Sequence, residues 1–184
     1  MATRLARGDE APDMPPGMPV PFLSSVMRIE PAWIDYNGHL NMAYYNVLFD
    51  RAIDELWLEL GIGPAYMKAR HGSTFTAECH VRYLREIHQD DPVRISILLL
   101  DADHKRLHTF EELRHATEGW LSATSENMTM HVDIAARKTA PFPPDIRERI
   151  QAVADAHRAI ARPEGIGRSI GDAFEIATGP GNSG

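Results

Sequence analysis

The chain has 184 residues, 43% of them apolar and 24% charged, which suits one globular domain with material for a real core. Its 26 acidic and 19 basic residues give a formal net charge of −7. That charge argues against a general nucleic-acid surface and leaves any anionic ligand dependent on local basic groups. The single cysteine, Cys79, excludes an internal disulfide framework and suits a reducing cytoplasm. No apolar run approaches the roughly 18 residues that span a bilayer, so no membrane contact is expected. Arg4 and Arg7 are not followed by an apolar segment, and no signal peptide is expected either.

Residues 1–21 contain Pro12, Pro15, Pro16, Pro19 and Pro21 and read as an extended, Pro-rich arm. A first strand is expected over Ser24–Glu30, ended by Pro31. The polar run Asp35-Tyr36-Asn37-Gly38-His39 then predicts a turn, because glycine tolerates positive φ. Met42–Leu60 is the clearest helix. Tyr45, Leu48, Phe49, Ala52, Ile53, Leu56, Trp57 and Leu60 form its apolar stripe, with Asn41 as N-cap and Gly61 as stop.

Four strands follow. Phe75–Ile87 alternates, with Phe75, Ala77, Cys79, Val81, Tyr83, Arg85 and Ile87 on one face. Val93–Leu100 is rich in β-formers, and His104-Lys105-Arg106 makes a polar turn. Leu107–Arg114 alternates again, and Trp120–Ile134 is a long last strand with Met128, Met130, Val132 and Ile134 on one face. Pro141, Pro143 and Pro144 break the chain before a second helix, Asp145–Ala159. Residues 161–184 are Gly-rich and read as a tail, with a short ordered piece near Ile166–Phe174. The order of strand, long helix and consecutive strands predicts an α+β domain over 22–160, an antiparallel sheet wrapped around a central helix.

With that order, Trp33-Ile34-Asp35-Tyr36-Asn37-Gly38-His39-Leu40-Asn41 ahead of the long helix resembles the hotdog-fold acyl-CoA thioesterases. The strand ending Met130-His131-Val132-Asp133, with Pro-Phe-Pro-Pro beyond it, resembles their 4-hydroxybenzoyl-CoA thioesterase-like branch. Trp33–Tyr45, Phe75–Arg85 and Lys105-Arg106-Leu107-His108 look like the betainyl-CoA thioesterases of carnitine degradation. The resemblance covers residues 22–160. It implies hydrolysis of an acyl-CoA thioester without a cofactor, betainyl-CoA giving glycine betaine and CoA. It also implies a homodimer or homotetramer with sites at the subunit interface.

The family carries a catalytic carboxylate three residues before the loop Gly38, which maps to Asp35. The family's oxyanion donor, a main-chain N–H seven residues after that carboxylate, maps to Met42. Some relatives have His at that place, and Met42 departs from them. The chemistry fits the placement. A helix N-terminus offers free N–H groups and partial positive charge, which favours an ionised carboxylate nearby. Asp35 could attack the thioester carbon or activate water. An Asx turn without chemistry is the ordinary alternative for the same residues.

By the same resemblance Trp33, Tyr36, His39, Asn41 and Tyr44 are candidates to touch substrate, since a quaternary ammonium is recognised by aromatic faces and carboxylates. Lys105, Arg106 and Arg82 are candidates for the CoA phosphates, although a turn carries such charges for solubility too. Asp50 and Glu78 are weaker carboxylate candidates. Cys79 falls on the apolar face and reads as packed core. His104 and His108 would stand about 13 Å apart on a strand, so no metal site is expected. Two other readings stay open. A hotdog enoyl-CoA hydratase would need Asp-x-Asn-Pro-x-His, which Asp35–His39 lacks. A non-catalytic acyl-CoA-binding module would bind thioesters without consuming them.

Overall fold

A computed structural model of the chain describes Met18 and residues 20–172. Most of the Pro-rich arm and the last residues of the Gly-rich tail therefore lie outside the described residues. Met18, within the arm, is buried in the core.

The elements in order are β1 (Phe22–Leu23), β2 (Met27–Arg28), a 3-10 turn (Pro31–Trp33), α1 (Met42–Leu60), α2 (Pro64–Arg70), β3 (Gly72–Tyr83), β4 (Pro92–Ala102), β5 (Arg106–His115), β6 (Leu121–Asp133), β7 (Lys138–Thr139) and α3 (Pro144–Arg158). All strand pairs are antiparallel, in the order β1-β4-β5-β6-β3, with β2 also on β4 and β7 also on β6. The buried stripe of α1, centred on Leu48, Ala52 and Leu56, joins one core with Ile95 and Ile97 of β4, Leu107 and Leu113 of β5, and Ala123 of β6. The α+β arrangement of a long helix against an antiparallel sheet is thus present.

Both ends of α1 are closed as its sequence implies. The Asn41 side chain accepts from Ala43 N–H, and Gly61 takes φ 78°. Helix α2 was not foreseen. Pro64 at its start and the preceding Gly63 nucleate it in a stretch too short for a clear period.

The single strand expected over Ser24–Glu30 is instead two short ones, and the reason is local. Ser25 N–H donates to Glu55 of α1 at 2.7 Å rather than into the ladder. Ser24 Oγ takes its place by accepting from Ile95 N–H at 3.0 Å. Strand β3 starts earlier and ends sooner than the alternation implied, and its register shifts between Thr76 and Glu78. This bulge inverts the strand's parity. Thr74 and Thr76 face α1 before it, while Cys79, Val81 and Tyr83 do so after it, so Phe75 points away and is exposed. Cys79 is exposed rather than packed, since β3 is the outer strand and its inward face is covered on one side only.

Two leucines of α1 separate packing from propensity. Leu56→Ala, at a side chain with no exposure, should cost about 2–5 kcal/mol in chemical denaturation. Leu58→Ala, at 59% exposure, should stay within about 0.5 kcal/mol. Equal costs would contradict this placement of the core.

Candidate active site

The loop before α1 is closed by a bridge between Ile34 and Leu40. Inside it, Asp35 N–H donates to the His39 carbonyl at 2.9 Å, and Gly38 N–H donates to the Asp35 carbonyl at 3.0 Å. Asp35 Oδ1 accepts from Asn37 N–H at 2.8 Å. The Asx turn is therefore real, yet it occupies one carboxylate oxygen. Oδ2 has no protein partner among the described residues. Gly38 holds φ 86° with open space where a Cβ would sit, so backbone conformation alone selects glycine there.

This loop is tied to the helix start. Asn41 N–H donates to the Trp33 carbonyl at 3.0 Å, and Leu40 N–H to the Ile87 carbonyl at 2.8 Å. In the first turn of α1, Ala43 N–H goes to Asn41 Oδ1 and Tyr44 N–H to the Asn41 carbonyl, each at 3.0 Å. Met42 N–H donates to no protein group among the described residues. The donor left open is thus the one the sequence pointed to, at the electropositive end of a 19-residue helix. The Met42 side chain is exposed, and Tyr83 Oη donates to its carbonyl at 3.4 Å, joining the helix start to the end of β3.

The other candidates divide. Trp33 is buried, stacked on Tyr44 at 5.4 Å between ring centroids, with the Arg51 guanidinium 4.8 Å from its ring. This pair fastens the loop to α1 instead of opening toward a ligand. Tyr36 stands at the loop tip, 97% exposed. His39 lies edge-on to His88 and 3.5 Å from Glu86.

Arg106 pairs with Asp103 at 2.7 Å. Slight burial opposes ionisation of Asp103, but the Lys105 N–H, the Arg106 guanidinium and the Arg106 N–H pull its carboxyl down to about 2. Lys105 has no carboxylate partner among the described residues. Arg82 points to the outer face of the sheet and fills the space above Gly165, while Glu126 accepts from Gly167 N–H at 2.7 Å.

The basic turn and the Asp35 loop lie at opposite ends of β6. Arg106 pairs with Met130 and Tyr83 with Ala123, roughly 23 Å apart along the strand. One chain alone does not bring them together. Among the described residues there is no group of three or more His, Cys, Asp or Glu side chains that could hold a metal. No helix in those residues is long and apolar enough to cross a membrane.

Residues 29–150 match the family model of the thioesterase-like superfamily. The chain belongs to that superfamily. It is 40% identical over 141 residues to the betainyl-CoA thioesterase of Pseudomonas aeruginosa, covering 77% of this chain and 89% of the relative. Its fold matches that of SAV2348 from Staphylococcus aureus, solved in complex with CoA, with a TM-score of 0.75 and 27% identity over 80% of this chain and 92% of the other. A DHNA-CoA thioesterase of Staphylococcus aureus shares the fold alone, at a TM-score of 0.68 and 18% identity over 74% and 93% of the two chains. The sheet curled against α1 is the hotdog fold of these thioesterases.

Within this thioesterase domain lies a second carboxyl that the sequence reading missed. Glu111 shares the α1-facing side of β5 with Leu107, Thr109 and Leu113, and it is 1% exposed. The signal was available. In Phe110-Glu111-Glu112 the alternation of β5 must send one glutamate inward, and the phase of Leu107 and Leu113 selects Glu111. Asn127 Nδ2 donates to Glu111 Oε1 at 2.8 Å, and Ser125 Oγ donates to Asn127 Oδ1 at 2.9 Å. Oε2 is buried without a partner. Burial pushes the Glu111 carboxyl up to about 8, Asn127 and the neighbouring Thr109 hydroxyl oppose this, and Asp50 of α1 adds to it.

This shift has a consequence for stability. The carboxyl's ordinary value is 4.5, so between that pH and about 8 the folded chain holds a proton that the unfolded chain has lost. The stabilisation is complete below pH 4.5 and is lost as pH rises through 8. Glu111→Gln stays neutral throughout. Thermal melts should therefore show a smaller fall in Tm between pH 5 and 8 for the variant than for the native chain. Parallel pH profiles would contradict a buried, neutral Glu111.

Proposed function

We propose that this chain hydrolyses acyl-CoA thioesters, and that betainyl-CoA is its substrate. The observation that carries this reading is the open Met42 N–H beside the Asp35 loop, with the neighbouring N–H groups already capped. The thioester oxygen would accept from Met42 N–H as charge grows on it, a donor typically worth about 3–4 kcal/mol of barrier. Asp35 would act on the carbonyl carbon. In one route its carboxylate attacks, CoA leaves as a thiolate, and water cleaves the resulting anhydride. In the other it takes a proton from the attacking water. Both consume one water and release the acid and free CoA. The likeness to the Pseudomonas aeruginosa enzyme supports the acyl group, and the CoA held by SAV2348 supports the leaving group. Lone Cys79 suits a cytoplasmic setting for this reaction.

The site needs a second copy of the chain. Strand β3, twelve residues long, is the last strand of the sheet among the described residues, and its alternate residues turn unpaired N–H and C=O groups outward, a template for antiparallel pairing with itself. Such pairing lays the Gly72 end of one β3 against the Tyr83 end of the other. The Lys105 turn of one copy then reaches the Asp35 loop of its neighbour, and exposed Tyr36 and Phe75 gain cover. A homodimer of this kind, alone or doubled into a homotetramer, places the CoA phosphates on one copy and the thioester on the other. Residues 22–160 would form this catalytic unit.

Release of free CoA thiol tests the reading. Asp35→Asn should lower turnover at least about a hundredfold with little change in melting temperature. Near-native turnover would remove Asp35 from the chemistry, and tight binding of thioesters without thiol release would favour a binding module instead. Neutralising Lys105 and Arg106 together should raise KM for the CoA ester while leaving kcat nearly unchanged.

A further inference from the structure

We propose that Glu111, backed by Asp50, sets acyl specificity by receiving the positively charged head of a quaternary-ammonium acyl group in the pocket between α1 and the sheet. The inference rests on the hydrolase reading above and adds the residues that choose the substrate.

The pocket holds about 140 Å³ and is lined by Phe49, Asp50, Glu111, Ser125, Asn127 and Thr129 among others. A cavity of roughly 150 Å³ accommodates a guest the size of benzene, so this one suits a compact acyl group. Asn46 also lines it, four residues along α1 from Met42, or roughly 6 Å of helix. The pocket thus opens within one acyl length of the proposed oxyanion donor.

Its electrostatics are one-sided. Asp50 faces it from α1 and Cys79 from β3, while β4 presents Ile95 and Ile97 beside Glu111. Among the described residues no Lys, Arg or His lines it. A buried carboxyl with a free oxygen and no basic partner is costly to keep, and an incoming cation removes that cost.

Burial holds Glu111 protonated near neutral pH while the pocket is empty; an entering cation favours the carboxylate, and the proton passes to water. Ser125 donates to Asn127, which turns the Asn127 amide so that it donates in turn to Oε1. Glu111 lines the cavity, and its Oε2 is buried with no protein partner within hydrogen-bond geometry among the described residues. A trimethylammonium group carries no N–H to bond. Charge and an aromatic face are what recognise it, and Phe49 is the aromatic side chain bordering the cavity.

The test compares betainyl-CoA with 3,3-dimethylbutyryl-CoA, in which a carbon replaces the charged nitrogen and shape is kept. The native protein should prefer the charged ester by at least tenfold in kcat/KM. Glu111→Gln should cut that preference at least tenfold, mainly through KM for betainyl-CoA. Glu111→Asp should retain part of it. Asp50→Asn, at an exposed position on the helix, should lower the preference severalfold and answers the question even if Glu111→Gln fails to fold. Equal losses on both esters, an unchanged ratio in both variants, or a native protein blind to the charge would each overturn the proposal. A native protein inert on every thioester would instead overturn the hydrolase reading itself.

Discussion

One constraint governs the molecule: α1 must bury its apolar stripe against a curled sheet while its first N–H is left without a protein partner among the described residues. Burial of Leu48, Ala52 and Leu56 fixes the helix axis. The cap fixes its beginning. Asn41 satisfies Ala43 and Tyr44 and leaves Met42 free, so the cap is incomplete at the position where an oxyanion would sit. A second fastening, Trp33 on Tyr44 under Arg51, holds the Asp35 loop at that end. The loop is short and heavily hydrogen-bonded, and therefore preorganised. Its single glycine with positive φ makes the return to the helix possible without strain.

Much of this was legible in the residues. The stripe from Tyr45 to Leu60, Asn41 before it and Gly61 after it define α1 to the residue. The chemistry proposed for the loop comes from family likeness alone, since the same five residues make an ordinary Asx turn and here do so. The misreadings share one cause. Periodicity assumes a strand without interruption. In β3 the bulge near Ala77 moved Phe75 to the face the pattern did not predict, while Cys79 kept its face and is exposed because β3 is the outer strand. Between Phe22 and Arg28 the Ser24 hydroxyl and the Glu55 carboxylate displaced backbone pairing. Such substitutions of side chain for main chain leave no periodic trace.

The inner face of β6 misleads for another reason. Its outward side carries Met128 and Met130, which look like core. Its buried side carries Ser125, Asn127 and Thr129, which look like surface. Hydrophobic sorting reads the wrong face because the interior side of β6 carries polar side chains that bond one another and Glu111. Buried polar groups that satisfy one another in series, ending on an unpartnered carboxyl, are costly to a core and useful to a binding site. Their presence next to α1, rather than scattered, ties the fold's interior to its chemistry.

The bulge in β3 also bears on how such a pocket could change over generations. Because side-chain direction along β3 inverts at that point, displacing the irregularity by a single place would swap which neighbours look toward α1 without altering any amino acid. Backbone length, not only substitution, is therefore a route by which the acyl chamber of this fold can be reshaped, and relatives with different substrates should be compared for where the extra residue sits.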